Sequence, residues 1–325
     1  MPDSLAAAPL GAPPVLHSGD GAHAISVTQA GSSNFGRYAW GVLAYTILVV
    51  LFGAVVRITG SGAGCGQHWP TCQGQIVLLP KRMETAIELS HRATSALCLV
   101  LVVALSIGAV RCFRPGEVVR TAVWFALGTV AVEALIGASL VLFRLVGHND
   151  SLARALVMGA HLVSTCFLTA AIAVAAWAAT HPVSIRLPGA LVLMLATALL
   201  GLLLVSMTGA ITALGDTVYP PSVSGATLGA GALLLERMRA VHPILAMLVG
   251  FLLVILVPAA ARRAQGKDTL TFGRASLALV FFQASLGVLN IWLKAPGWMQ
   301  VFHLAIAMFL WTAMVLFSAS AALKA

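Results

Sequence analysis

Four histidines stand where a histidine is costly. His91, His161, His242 and His303 lie inside long apolar stretches, and an ionisable group in a bilayer marks a site by default. A single buried imidazole is equally explained by a bond to a neighbouring helix. Four at matched depth, one per pair of apolar segments, ask for a ligand. Imidazole is a standard axial ligand of haem iron. Two facing helices of a four-helix bundle can set two imidazoles on opposite sides of one macrocycle. Zinc or copper would call for tighter clustering, and no His-x-x-x-His pair occurs. The expected sites are therefore His91 with His161 and His242 with His303. His17 and His23 in the N-terminal segment, and His68, His148 and His181 in connections, read as solvated.

Other chemical groups gather near these four. Arg92 follows His91, and Arg237 and Arg239 precede His242. A guanidinium matches a carboxylate with a two-pronged fork. These three are candidates for holding haem propionates, against the plainer role of interfacial anchoring. Glu88 lies three residues before His91, on the same helix face, and four before Arg92, where an ion pair is its ordinary use. A carboxylate beside a haem edge can act as a base or stabilise a developing cation. The corresponding position before His242 is Arg239. This difference assigns chemistry, with Glu88 as catalytic candidate, to the first half and electron transfer to the second. Glu133 reads as an interhelical hydrogen-bonding group. Cys65 and Cys72 are spaced wrongly for a zinc knuckle and suit a small disulfide loop outside the cytoplasm. Cys98, Cys112 and Cys166 read as packing residues.

Lipid must surround the elements that position these groups. Of 325 residues, 60% are hydrophobic and 9% charged, against roughly 25% charged in soluble domains. The formal charge of +9 comes from basic residues scattered in ones and twos, not from a stripe that would follow a phosphate backbone, so nucleic acid is excluded as a partner. Eight apolar stretches fall at Tyr38–Val56, Ala86–Val110, Thr121–Phe143, Ala153–Ala179, Pro188–Ala213, Ala240–Ala261, Ala275–Leu293 and Trp298–Ala322. Their length without alternation predicts helices.

An internal repeat is expected. Gly53-Ala54-Val55 returns as Gly209-Ala210-Ile211. Glu133 with Gly137 returns as Gln283 with Gly287, His91 as His242, and His161-Leu162 as His303-Leu304. An even number of helices per unit gives both halves the same orientation. The fold class expected is an all-α membrane protein, eight transmembrane helices in two pseudo-symmetric four-helix bundles. Residues 1–36 form a disordered cytoplasmic tail, 37–186 the first bundle and 187–325 the second. Arg37, Arg111, Arg114, Arg120, Arg186, Arg262, Arg263, Lys267, Arg274 and Lys324 share one side. With Arg92, Arg237 and Arg239 set aside for a ligand, that side holds the majority of basic residues. Both termini are then cytoplasmic, in a multi-pass protein of the cell (inner) membrane.

The run Arg57-Ile58-Thr59-Gly60-Ser61-Gly62-Ala63-Gly64-Cys65, then Trp69-Pro70-Thr71-Cys72, then Glu88-Leu89-Ser90-His91-Arg92, resembles the signature of the haem A synthase family. The resemblance runs from Phe35 to the C-terminus. It implies oxidation of a ring methyl of haem O to a formyl group through successive hydroxylations, giving haem A for cytochrome oxidase. It implies a resident haem b on His242 and His303, and haem O as substrate with His91 and His161 as ligands. Glu88 matches the family's functionally important glutamate. Cys65 and Cys72 match a pair found in one branch, and the loop from Leu214 to Arg239 lacks the second pair that some members carry.

The pathway implies contact with the farnesyltransferase that makes haem O. Quinol or another electron donor, and self-association into a homo-oligomer, stay open. Two rival readings remain. One is a di-haem membrane cytochrome passing electrons from quinol without altering haem, which the Glu88/Arg239 difference disfavours. The other is a transporter, disfavoured because no Gly/Pro helix breaks pair up across the halves.

Overall fold

A computed structural model describes residues 19–76, 79–181, 184–185, 189–219 and 230–324. Eight helices dominate it: α1 (Gly19–Ile58), α2 (Met83–Cys112), α3 (Val118–Leu142), α4 (Leu152–Ala178), α5 (Gly189–Val218), α6 (Ala230–Ala264), α7 (Lys267–Trp292) and α8 (Gly297–Ala322). All eight are long and apolar enough to cross a membrane. Backbone groups in hydrocarbon have no water to bond, so each segment satisfies its own within a helix. Two-residue strands β1 (Ser184–Ile185) and β2 (Leu323–Lys324) pair antiparallel, a small addition to an all-helical protein.

Several helices outrun their apolar stretches. α5 continues five residues past Ala213, α6 begins ten before Ala240, and α7 begins eight before Ala275. Those ends carry Asp216, Arg237, Arg239, Asp268 and Arg274. Hydropathy locates the lipid-facing part of a helix, whereas the backbone ladder runs on into polar surroundings. Much of the long connection expected at Leu214–Arg239 is consequently helical, and residues 220–229 lie outside the described set. At the N-terminus, α1 starts at Gly19, inside the stretch expected as tail, while its candidate span runs Ser32–Ile58. Residues 1–18 of that expected tail, with His17, lie outside the described residues.

Within the first four helices α1 packs on α2, α2 on α3, α3 on α4 and α4 on α1; the last four follow the same cyclic order. α4 and α8 are the most buried and join the two groups, touching each other and also α5 and α1. Small side chains make this approach close. Ala171, Ala173, Ala175, Ala176 and Ala178 of α4 are all buried, and α8 answers with Met314 and Phe317. Trp311 on α8 donates its indole N–H to the Cys166 carbonyl of α4 at 2.7 Å.

Polar ties cross between the halves at both ends. At one, the half-buried end of α1 sends Arg57 Nη1 to the Ala213 carbonyl at 2.6 Å and to the Thr217 hydroxyl of α5. Nearby, Tyr219 donates its hydroxyl to Asp150 at 2.5 Å, and that bond raises the phenol's pKa above its ordinary value. At the other end, Trp177 Nε1 donates to Asp268 Oδ2 at 3.0 Å, and His181 stacks on Trp177 with ring centroids 4.7 Å apart. His181 Nε2 is 3.2 Å from the same Asp268 oxygen, so this part-exposed histidine belongs to a clasp and is not simply solvated.

Replacing Arg57 by Met should remove the tie between α1 and α5 and leave the Ala213 carbonyl without it. Thermal unfolding in detergent should show a loss of about 1–2 kcal/mol; an unchanged transition would mean that the contact contributes nothing.

Candidate functional site

The four even helices carry the four histidines toward one end. Each falls within roughly the first four turns of its helix, and each is half-buried. His91 and His161 are close enough for their charges to interact, and so are His242 and His303. Each expected pair therefore sits within one group of four helices, on its second and fourth members.

Three of the rings lie beside a glycine on the preceding helix. A Cβ on Gly53 of α1 would stand 3.2 Å from His91 Cε1. One on Gly209 of α5 would stand 3.0 Å from His242 Cε1, and one on Gly287 of α7 would be 3.5 Å from His303 Cε1. Gly137 of α3, the counterpart of Gly287, meets nothing within 4 Å. The residue before each of the first two glycines also touches its ring. Phe52 meets His91 edge-on at 5.5 Å and 83°. Thr208 Oγ lies 3.2 Å from His242 Nδ1. Thr208 Oγ also lies within hydrogen-bond reach of the carbonyls of Leu204 and Val205; when its hydrogen goes to them, its oxygen can accept from Nδ1–H and leave the lone pair on Nε2. Phe52 and Thr208 escaped the sequence reading, although their place in the repeat, one before each glycine, was the available signal.

Glu133 of α3 and Gln283 of α7 reach the remaining rings. Glu133 Oε2 is 3.0 Å from His161 Nδ1, close but off-line for a hydrogen bond, and accepts from the Thr165 hydroxyl at 3.0 Å. Gln283 Nε2 is 3.1 Å from His303 Nε2 and donates to the His303 carbonyl at 3.2 Å. Nδ1 of His91 and Nδ1 of His303 are buried without a partner. Two histidines in each group of four helices, with unpartnered ring nitrogens and glycine-made room beside three of the rings, fit the donor set of haem iron, which takes neutral nitrogen ligands. A groove of about 600 Å³ lined by Pro258, Arg262 and Arg274 lies at the far end of α6 and has no part in this arrangement.

Glu88 is buried, and both its oxygens are engaged. Oε2 accepts from the Cys65 backbone N–H at 2.7 Å and Oε1 from Arg92 Nη2 at 2.5 Å. Arg92 Nη1 donates to the carbonyls of His68 and Thr71, both at 2.7 Å. Together they clamp the loop after α1 onto the first turns of α2. Gly64 makes the clamp possible: its Cβ would fall 2.6 Å from the backbone of Glu84 and Thr85. Within that loop Cys65 and Cys72 form a disulfide, and both are buried. Arg239 is likewise committed, with Nε on Asp216 Oδ1 at 2.8 Å and Nη2 on the Tyr219 carbonyl. Arg237 is exposed on α6.

A family model described as a cytochrome oxidase assembly protein, COX15-CtaA, matches residues 36–315. Two proteins from different strains of Thermus thermophilus, each named protoheme IX farnesyltransferase, are 43% identical over 298 residues, which is 89% of this chain and 48% of theirs. The chain therefore spans about half the length of these relatives. A heme A synthase of Shouchella clausii is 36% identical over 115 residues, 35% of this chain and 36% of its own. One of Bacillus cereus is 39% identical over 97 residues, 30% and 31% of the two chains.

Gly64→Ala should force the loop off α2, since backbone cannot yield as a side-chain tip does. We expect a loss of about 1–3 kcal/mol and faster reduction of the Cys65–Cys72 bond by an added thiol. Wild-type reduction kinetics in the variant would show that the loop does not depend on this approach.

Proposed function

The chain belongs to the COX15-CtaA family of cytochrome oxidase assembly proteins, and on that premise we propose that it is a haem A synthase, oxidising a ring methyl of haem O to a formyl group. The observation that carries the reading is the two histidine pairs, each packed against glycine and left with unpaired ring nitrogens. The chemistry would be two hydroxylations: each replaces a C–H by C–OH, gives up two electrons and two protons, and takes its oxygen from water with an external electron acceptor or from O2 with a two-electron donor; the resulting geminal diol then loses water to the aldehyde.

We assign the first four helices, residues 37–186, to the substrate and the last four, residues 187–325, to a resident haem b. His91 and His161 would ligate haem O; His242 and His303 would hold the resident group. Haem b, when bound, supplies a one-electron relay. Thr208, at His242 Nδ1, would favour the tautomer that leaves Nε2 free to hold the group. Glu88 acts through the clamp it forms, holding Arg92 and the disulfide loop over the start of α2. Of the three arginines considered for propionates, Arg237 is the one not committed to a protein partner; Arg92 and Arg239 are spent on backbone carbonyls and carboxylates. The disulfide loop lies on the outer face and both termini on the inner, in keeping with the distribution of basic residues.

The Thermus relatives bear the name of a farnesyltransferase on chains about twice as long. We read the matched half as the haem A-forming unit, and take the shared chain as support for delivery of haem O from a farnesyltransferase partner.

Expression with a supply of haem O, followed by haem extraction and mass analysis, tests the reading. Haem A in the extract supports it. Haem retained with haem O unconverted would favour a di-haem cytochrome, and a folded but colourless protein would overturn both. His242→Ala and His303→Ala should each lose the resident haem. Glu88→Ala should keep that haem yet stop haem A formation; full activity in this variant would remove Glu88 from the reaction.

A further inference from the structure

Glu133 and Gln283 hold the same place in the two halves and touch the histidine of the last helix in each. Gln283 shows that a neutral amide suffices to bond these helices. A carboxyl group at the same point in hydrocarbon costs more, so helix bonding alone does not account for Glu133. Its surroundings are adapted to it. Thr165, one turn beyond His161, shares its hydroxyl hydrogen between Glu133 Oε2 at 3.0 Å and the His161 carbonyl at 2.9 Å, whereas the residue one turn beyond His303 is Ala307. The carboxyl is accompanied by a hydroxyl and the amide is not. Glu133 Oε1 is buried with no partner.

The rings opposite differ as well. His242 has a neutral hydroxyl at Nδ1, whereas His91 has no partner there and meets the Phe52 edge instead. The second half therefore gives both its histidines neutral polar contacts. The first half gives one a carboxyl and the other none.

We propose that Glu133 is a positioning residue that makes His161 the stronger and His91 the weaker iron ligand of the first half. Glu133 Oε2, 3.0 Å from His161 Nδ1, needs only a small turn of the ring to accept its N–H, and a carboxylate so placed orients an imidazole and raises its basicity toward a metal. Unequal axial ligands suit a site that must accept, expose and release its haem; equal neutral ones suit a site that keeps it. Gly137 fits this division, since the space beside it stays open where the His303 ring fills the counterpart. The inference rests on reading the histidine pairs as haem ligands.

The test uses full-length protein loaded with haem B in a His242→Ala background, so that the first-half haem is observed alone. Redox titration of Glu133→Gln should show a raised midpoint potential, with haem affinity lower by about 10- to 100-fold. Glu133→Asp should restore both in part. Thr165→Ala, which keeps the carboxyl but frees it, should move the potential in the same direction by less. In otherwise wild-type protein, Gln283→Glu should lower the potential of the second-half haem. If Glu133→Gln fails to fold, the Thr165 and Gln283 variants decide. Potentials that stay at the wild-type value in folded, haem-loaded variants would reduce Glu133 to a packing role. A parent protein that takes up no haem would instead bring down the haem reading itself.

Discussion

An imidazole ring laid against a glycine is the contact on which the rest of this molecule depends. Histidine in a bilayer has to be held by protein on every side, because lipid offers neither hydrogen bonds nor solvation. A missing Cβ on the neighbouring helix lets the ring approach within about 3 to 3.5 Å of where that carbon would be. At Gly53 and Gly209 an added Cβ would make the ring give way, and at Gly287 it would just touch it. The glycines at 53, 209 and 287 thus set both the spacing of the helix pairs and the place of the nitrogens. The cyclic packing of the helices gives the second group two such rings and the first group one.

Much of this was legible in the sequence because hydrocarbon imposes a simple rule. Eight apolar stretches of sufficient length became eight helices. The histidines stood out because their type conflicts with their surroundings. Helix ends were less legible: α5, α6 and α7 continue through Asp216, Arg239 and Arg274, where hydropathy falls but the backbone ladder does not. The arginines were harder still. Arg92 and Arg239 stand next to histidines in sequence, yet their guanidiniums turn to backbone carbonyls of loops and helix ends. A residue's neighbour along the chain says little about where a long side chain ends.

Glu88 carries the same lesson about partners distant in sequence. Its spacing from His91 suggested chemistry, and its spacing from Arg92 an ion pair. The pair is present, but the second oxygen reaches the Cys65 amide, far back in the preceding loop. That contact follows from Gly64, which lets the loop backbone press on the start of α2. Glu133, by contrast, was visible as half of a repeat whose other half is an amide, and its neighbour in space proved to be the histidine of the next helix.

The ties between the halves have a consequence for electron exchange. Arg57 and Tyr219 fasten them at one membrane face, and the Trp177–His181–Asp268 clasp fastens them at the other. Bracing at both ends leaves neither hinge nor slide between the bundles as a cheap motion. On the proposed reading, the edge-to-edge gap that an electron must tunnel across is therefore set by the scaffold and not by thermal breathing. Substrate could come and go on one side without retuning the wire that serves it.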